Sequence, residues 1–230
     1  MANIKSALFI RPTTSADSPA VSRICLLTAD AGVSAESLHE AGELPGLMYS
    51  EPYVHLPECY AFVLVDPTLG KEGEGEVVGY VLGSFDTRGF EQSRLTKWFP
   101  PYCKKYPLSA ADAQVVTEDT PAYLRILTPQ DKHYIRTIHN PQIATATQVA
   151  FSPAHLHINI LPQYQHQGWG RRLVGQAVKY LKEEKGLDRL WLGMDPRNTN
   201  AKKFYARLGF KEIPNTPVGT VGLKFEDWRD

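Results

Sequence analysis

The stretch 155–213 constrains the fold more than any other part of the chain. His155, Leu156, His157, Ile158, Asn159, Ile160 and Leu161 alternate, with Leu156, Ile158 and Ile160 on one face and His155 and His157 on the other. That is the period-two pattern of a half-buried strand, and Pro162 ends it. After a glycine-containing loop, Leu173, Val174, Ala177, Val178 and Leu181 recur at helical spacing and predict a helix over 169–185, with Gly186 as its left-handed cap. Residues 189–194 then read as a strand, 199–208 as a helix capped by Gly209, and 210–213 and 218–225 as two further strands. A strand, a crossover helix and a strand in immediate succession put the first two strands parallel.

The N-terminal half adds residues 8–11 as a short strand ending at Pro12, several capping residues over 13–17, and Val21, Ile24 and Leu27 at helical spacing. Residues 60–66 and 77–85 are apolar and β-branched, and the Gly- and Glu-rich stretch 70–76 between them predicts a hairpin. From 86 to 153 the pattern loosens into Pro-punctuated helical pieces, an insertion rather than a second domain. At roughly 150 residues per domain, 230 residues suit one domain spanning 1–230 with that insertion. The fold class is α/β (α+β).

Lys and Arg total 25 and Asp and Glu total 25, so no net field favours a phosphate backbone or an anionic membrane. Neither nucleic acid nor a membrane is expected as a partner, and no apolar run approaches the ~18 residues of a span. Cys25, Cys59 and Cys103 form no Cys-x-x-Cys pair, which suits a reducing compartment, cytoplasmic or nuclear. His133, His139, His155 and His157 lack zinc-ligand spacing, so no metal is expected. A homodimer is compatible with the sequence.

The chemistry concentrates in Gln165-His166-Gln167-Gly168-Trp169-Gly170-Arg171-Arg172, which sets two glycines at a helix N-terminus. First-turn N–H groups there have no intrahelical partner, and the helix dipole adds partial positive charge. Glycine lets an anion approach the backbone, and an arginine can add a charge-assisted contact. This loop is similar to the Q-x-x-G-x-G/A phosphate loop of the GNAT superfamily of acetyl-CoA-dependent N-acetyltransferases, with Gln165, Gly168 and Gly170 at its fixed positions. Downstream, the segment 198–210 resembles the family's N-x-x-A-x-x-[FL]-Y-x-x-x-G-F pattern through Asn198, Ala201, Phe204, Tyr205, Gly209 and Phe210. In the first half, 49–53, 62–66, 78–83 and 86–88, together with 153–157, look like the acetyltransferase-like domain of O-GlcNAcase and its free-standing microbial and fungal relatives.

The resemblance implies a mixed, mostly antiparallel sheet whose central parallel strands splay, so that acetyl-CoA lays its pantetheine arm against backbone at Asn159, Ile160 and Leu161. It implies a diphosphate on Gln165, His166, Gln167, Gly168, Trp169, Gly170 and Arg171, and contacts to the arm from Asn198, Ala201, Phe204 and Tyr205. Tyr205 matches the family's thiolate-side tyrosine, a general acid. For the base the residues leave His155, His157 and Asp195 open, and Asp195 could also hold an incoming ammonium. Asp86 and Arg88 suit either the substrate side or a solvated turn, and Trp98 and Tyr102 either a sugar-covering wall or a small core. The implied activity is N-acetyl transfer to a small-molecule primary amine, with an amino sugar such as glucosamine ahead of protein lysine, and a non-catalytic acetyl-CoA sensor as the rival from another class.

Overall fold

The computed structural model describes residues 8–70, 75–112 and 121–229. Residues 71–74 of the expected hairpin turn and 113–120 of the expected insertion lie outside them. Among the described residues seven strands form one sheet: β1 (Phe9–Pro12), β2 (Cys59–Asp66), β3 (Glu76–Ser84), β4 (His155–Ile160), β5 (Arg189–Gly193), β6 (Lys211–Glu212) and β7 (Thr220–Lys224). Their order is β1-β2-β3-β4-β5-β7-β6, and every pairing is antiparallel except β4 with β5. The last two strands are shorter than their apolar runs: Pro214 follows β6, and Gly219, at φ +88°, makes the turn into β7.

The parallel pair meets at His155 opposite Trp191, where Trp191 N–H donates to Ala154 O at 3.0 Å. No further ladder pair joins β4 and β5, so the splay implied by the resemblance is present.

Helix α1 (Ser18–Leu26) begins at the Thr14–Asp17 capping box, whose Asp17 carboxylate also takes a bidentate Arg11 at 2.7 Å. Short helices α2 (Leu44–Tyr49) and α3 (Glu51–His55) follow. Between β3 and β4 run α4 (Thr87–Ser93), a wider π-type turn (Arg94–Trp98), α5 (Phe99–Lys105), α6 (Leu108–Asp112), α7 (Ala122–Arg125), α8 (Pro129–His139) and α9 (Ala146–Phe151). Helices α10 (Trp169–Lys185) and α11 (Thr199–Leu208) complete the chain at the bounds the periodicity predicts.

The sheet is apolar on both faces. Leu173, Val174, Ala177 and Leu181 of α10 pack on Leu64, Val81 and Leu156, while Val21, Ile24, Tyr53 and Phe90 cover Val63, Tyr80 and Leu82 on the other side. A third cluster joins Leu44 and Leu47 of α2 to Phe99, Tyr106, Ile135 and Ile138. Through it the helices of 86–153 share a core with α2, and α8 lies against the site.

One buried contact fixes that placement. Thr128 and Asp131 form the capping box of α8, and Asp131 also accepts His39 Nδ1–H at 2.7 Å and Glu40 N–H at 3.0 Å. Both side chains of the His39–Asp131 pair are sealed from solvent, and they tie the segment 36–41 to the first turn of α8.

Candidate active site

A cleft of about 1670 Å3 opens where β4 and β5 part. Its floor is residues 156–161; the loop 162–172 closes one end, and α11 contributes Asn198, Ala201, Phe204 and Tyr205. The other end is walled by residues 27–35, His39, Tyr49, and Gln130, His133 and Tyr134 of α8.

The loop owes its shape to two left-handed residues, His166 at φ +59° and Gly168 at φ +86°. For a non-glycine residue this conformation costs about 1–2 kcal/mol, a strain that collects at ligand-binding loops. Successive N–H groups turned by such residues form a concave anion site. The two glycines serve different ends. A Cβ at Gly168 would meet nothing within 4 Å, leaving the approach to α10 open, whereas one at Gly170 would lie 2.9 Å from the Phe204 ring. Gly168 therefore keeps a conformation, and Gly170 lets α10 pack on α11.

Gln165 shapes the loop from within, its Nε2 donating to Ile160 O at 2.8 Å. His166, Arg171 and Arg172 line the cleft. The side chains of Gln167 and Trp169 are engaged within the protein: Gln167 Nε2 donates to Gln163 O at 2.9 Å, and the Arg172 guanidinium lies over Trp169, 4.5 Å from the ring centroid.

The gap-facing edge of β4 also differs from expectation. Leu161 N–H donates to Val78 O at 3.0 Å and is committed to β3, and strand alternation gives Asn159 the same orientation. The backbone groups turned to the gap are those of Ile158 and Ile160, so Asn159 and Leu161 are corrected to wall residues there. The Asn159 side chain instead donates to Thr28 Oγ1, tying β4 to the end of α1.

Asn198 Oδ1 accepts Ala201 N–H at 2.9 Å and caps α11, so this oxygen is spent on the helix, while the same side chain closes over Gly32. Tyr205 packs between Phe204 and Phe210, with ring centroids 5.2 Å away in each case, and lines the cleft. Burial pushes its phenol pKa up, so it holds its proton at neutral pH.

Asp195 stands at the cleft edge, but Arg197 takes both of its oxygens, Nη2 donating to Oδ2 at 2.7 Å and Nε to Oδ1 at 3.2 Å, and its backbone N–H adds a further bond to Oδ1 at 2.8 Å. The same guanidinium reaches Asp30 at 2.9 Å. These bonds hold the Asp195 carboxyl below its ordinary range, making it a weaker base than the free carboxylate that the sequence suggests.

His155 and His157 do share one face, and Tyr53 links them. Tyr53 Oη lies 2.9 Å from His155 Nε2 and 3.0 Å from His157 Nε2, while His155 Nδ1 lies 2.7 Å from Thr87 Oγ1. His155 thus spends both nitrogens inside the protein and does not line the cleft; His157 does. Burial, then the nearby Arg94 charge, lowers the His157 imidazole to about 4; burial lowers His155 as well, with His157 and Arg94 adding to it.

Two further alternatives resolve toward structure. Asp86 caps α4 by accepting Gly89 N–H at 3.0 Å, and Arg88 pairs with Glu91 at 2.6 Å. Trp98 stacks on His55 at 5.5 Å and 17° and donates to Leu47 O, while Tyr102 packs against it in the third cluster, and neither lines the cleft. The wall at that end is instead a run of rings: His157 to Tyr49 (6.2 Å), Tyr49 to Tyr134 (6.0 Å) and Tyr134 to His39 (5.1 Å). Tyr49 and Tyr53, one helical turn apart, were visible in the sequence only as part of a resemblance; nothing there marked Tyr134 or His39.

All three cysteines are unpaired. Among the described residues no group of His, Cys, Asp and Glu could hold a metal ion, and no helix is long and apolar enough to cross a membrane.

Comparison with known proteins agrees with this architecture. The solved structure of SsHAT is similar at a TM-score of 0.76 and 32% identity, over 95% of this chain and 98% of that one. The ribosomal protein bS18-alanine N-acetyltransferase of Haemophilus influenzae is 37% identical over 83 residues, 34% of this chain and 55% of that protein. Its counterpart from Escherichia coli (strain K12) is 40% identical over 67 residues, 29% and 45% respectively. The matches thus span about half the length of these two curated relatives. The Acetyltransferase (GNAT) family profile matches residues 36–210, three quarters of the sequence, and with the splayed strand pair and the loop already described, the chain belongs to the GNAT acetyltransferase family.

Proposed function

We propose that the protein transfers an acetyl group from acetyl-CoA to a small primary amine, with an amino sugar such as glucosamine as the acceptor. One observation carries this reading: a single cleft joins an open anion-binding loop at a helix N-terminus to His157 and Tyr205. The residues present fit acetyl-CoA. The loop 165–171 and Arg171 suit its diphosphate, the gap-facing β4 edge at Ile158 and the Ile160 N–H offers strand-like hydrogen bonds to its amide arm, the Ile160 carbonyl being held by Gln165, and Ala201 and Phe204 supply apolar wall. When bound, acetyl-CoA supplies a thioester whose carbonyl carbon is open to attack by a neutral amine.

His157 acts as the general base. With its pKa at about 4 it is neutral at physiological pH but too weak to strip a proton from an ammonium ion. It therefore accepts the proton from an uncharged amine as the nitrogen–carbon bond forms. That requirement favours amines less basic than lysine, whose free pKa is about 10.4. As the carbon–sulfur bond breaks and its electron pair stays on sulfur, Tyr205 donates its phenolic proton to the thiolate.

The acceptor end supports a sugar. Its two cleft-lining carboxylates, Asp30 and Asp195, are both bonded by Arg197, and Arg171, Arg172, Lys203 and Arg207 line the same cleft. Among the described residues the lining therefore carries more cations than carboxylates and offers a polycation no excess of counter-charge. Tyr49 and Tyr134 present apolar ring surface to the C–H faces of a pyranose, with Gln130 and His133 beside them for its hydroxyls.

The test is thiol release from acetyl-CoA against amino sugars, polyamines, amino acids and histone peptides. Turnover with glucosamine above the other amines is the expected result. Turnover of lysine peptides alone would move the acceptor to protein, and none with any amine would leave an acetyl-CoA-binding module.

A further inference from the structure

The hydrogen bonds behind β4 form a chain whose direction can be fixed atom by atom. It begins at Pro153 O, which can only accept. Thr87 Oγ1 lies 2.7 Å from that carbonyl, and two oxygens so close need a hydrogen between them, so the threonine hydroxyl donates its single proton there. Thr87 Oγ1 is then left only lone pairs for His155 Nδ1, also at 2.7 Å, and His155 must carry its proton on Nδ1. Neutral His155 therefore has a bare Nε2, to which Tyr53 donates its phenolic proton across 2.9 Å. With that proton spent, Tyr53 Oη can only accept from His157 Nε2 at 3.0 Å. His157 is left with its proton on Nε2 and a lone pair on Nδ1. That nitrogen has no hydrogen-bond partner among the described residues, and His157 lines the cleft.

We infer that Thr87, His155 and Tyr53 are positioning residues that hold His157 in the Nε2–H tautomer, keeping Nδ1 as the proton-accepting atom of the acetyl-transfer site. The inference rests on the base role assigned to His157 above. It makes that role atom-specific: the substrate N–H proton goes to Nδ1, while Nε2–H stays bonded to Tyr53. It also accounts for polar groups that the buried face of the sheet would otherwise have no reason to hold. Thr87, His155 and Tyr53 lie among Phe90, Trp191 and Val63 and touch no substrate, yet each passes one fixed hydrogen bond to the next. A free imidazole exchanges its proton between the two nitrogens, so without this chain part of the population would present Nδ1–H to the amine and be inactive.

The test uses the full chain labelled with nitrogen-15 histidine, with two-bond proton–nitrogen correlation spectra at about pH 7. His157→Gln and His155→Gln assign the two rings. The expected spectrum has His155 protonated on Nδ1 and His157 on Nε2. Tyr53→Phe keeps the ring stack but removes the hydroxyl, and should give a mixed His157 tautomer, leave His155 protonated on Nδ1, and lower kcat about tenfold with the acetyl-CoA KM unchanged. Thr87→Val should loosen the His155 tautomer first and His157 less. A wild-type His157 protonated on Nδ1 or mixed, or a Tyr53→Phe protein whose His157 keeps a pure Nε2–H signal, would overturn the inference. The two readings fail separately. If the wild-type spectrum and its response to Tyr53→Phe are as expected while His157→Gln turns over normally, the hydrogen-bond chain stands and the base role falls.

Discussion

At the loop end of the cleft, the lining comes from one continuous stretch, 156–172, and from α11; at the ring end, residues 27–39, α2 and α8 meet the face of β4. The loop end is also made largely of backbone: left-handed residues at 166 and 168, first-turn N–H groups, and the strand edge at Ile158 and Ile160. The ring end is made of side chains that owe their positions to long-range contacts, above all His39 on Asp131, 92 residues apart, and Tyr53 on His157, 104 apart. The difference teaches a division of labour. A site for an invariant anion can be built locally and read locally, whereas a site for an acceptor is set by whatever the insertion brings against the sheet.

The largest expected effect is at the chemistry between the two ends. His157→Ala should lower kcat by about 10²-fold or more, the usual weight of a positioned base, with acetyl-CoA affinity retained. In the unmodified protein the acidic limb of kcat at saturating acceptor should fall at about pH 4, because burial and Arg94 move His157 there from the usual 6.5. The same shift fixes the sign for stability. The folded protein binds fewer protons than the unfolded chain between those values, so melting temperature should fall as pH drops from about 6.5 toward 4, and less steeply in His157→Gln.

Tyr205→Phe comes next. Its hydroxyl matters only as the thiolate develops, so kcat should fall about tenfold or more while calorimetry finds acetyl-CoA binding within a factor of two or so. Equal turnover would reduce Tyr205 to packing between Phe204 and Phe210. The smallest effect is expected at Asp195. An exposed ion pair is worth at most about 1 kcal/mol, so Asp195→Asn should change acceptor KM by less than about fivefold. A larger rise would restore Asp195 as the ammonium anchor.

Most of the fold was legible because its signals are local. The alternation at 155–161, the helical spacing of Leu173 to Leu181 and the caps at Gly186 and Gly209 each depend on neighbours a few residues away. The loop was legible for the same reason. The base was not: His155 and His157 look alike on one strand face, and only the third dimension brings Thr87 and Tyr53 to engage both nitrogens of the first while leaving Nδ1 of the second free. Asp195 stayed open as a base because its pairing with Arg197, two residues on, is one that spacing alone permits but does not require. Trp98 and Tyr102 stayed open between a sugar-covering wall and a small core because aromatic residues in an irregular segment serve cores and ligands equally; the tyrosine rings that line that end of the cleft are Tyr49 and Tyr134.

The most direct measurement of the central claim, that one cleft binds acetyl-CoA at its loop and the amine at its rings, is a pair of KM determinations on Gly168→Val and Tyr134→Ala with glucosamine as acceptor. Valine at 168 meets the left-handed strain of about 1–2 kcal/mol and fills the open approach to α10. Gly168→Val should therefore raise the acetyl-CoA KM at least tenfold and leave the glucosamine KM within about twofold. Tyr134→Ala, which removes a ring from the acceptor wall, should do the reverse. Equal changes in both constants for either variant, or a rise in the glucosamine KM alone for Gly168→Val, would contradict the assignment of the two ends.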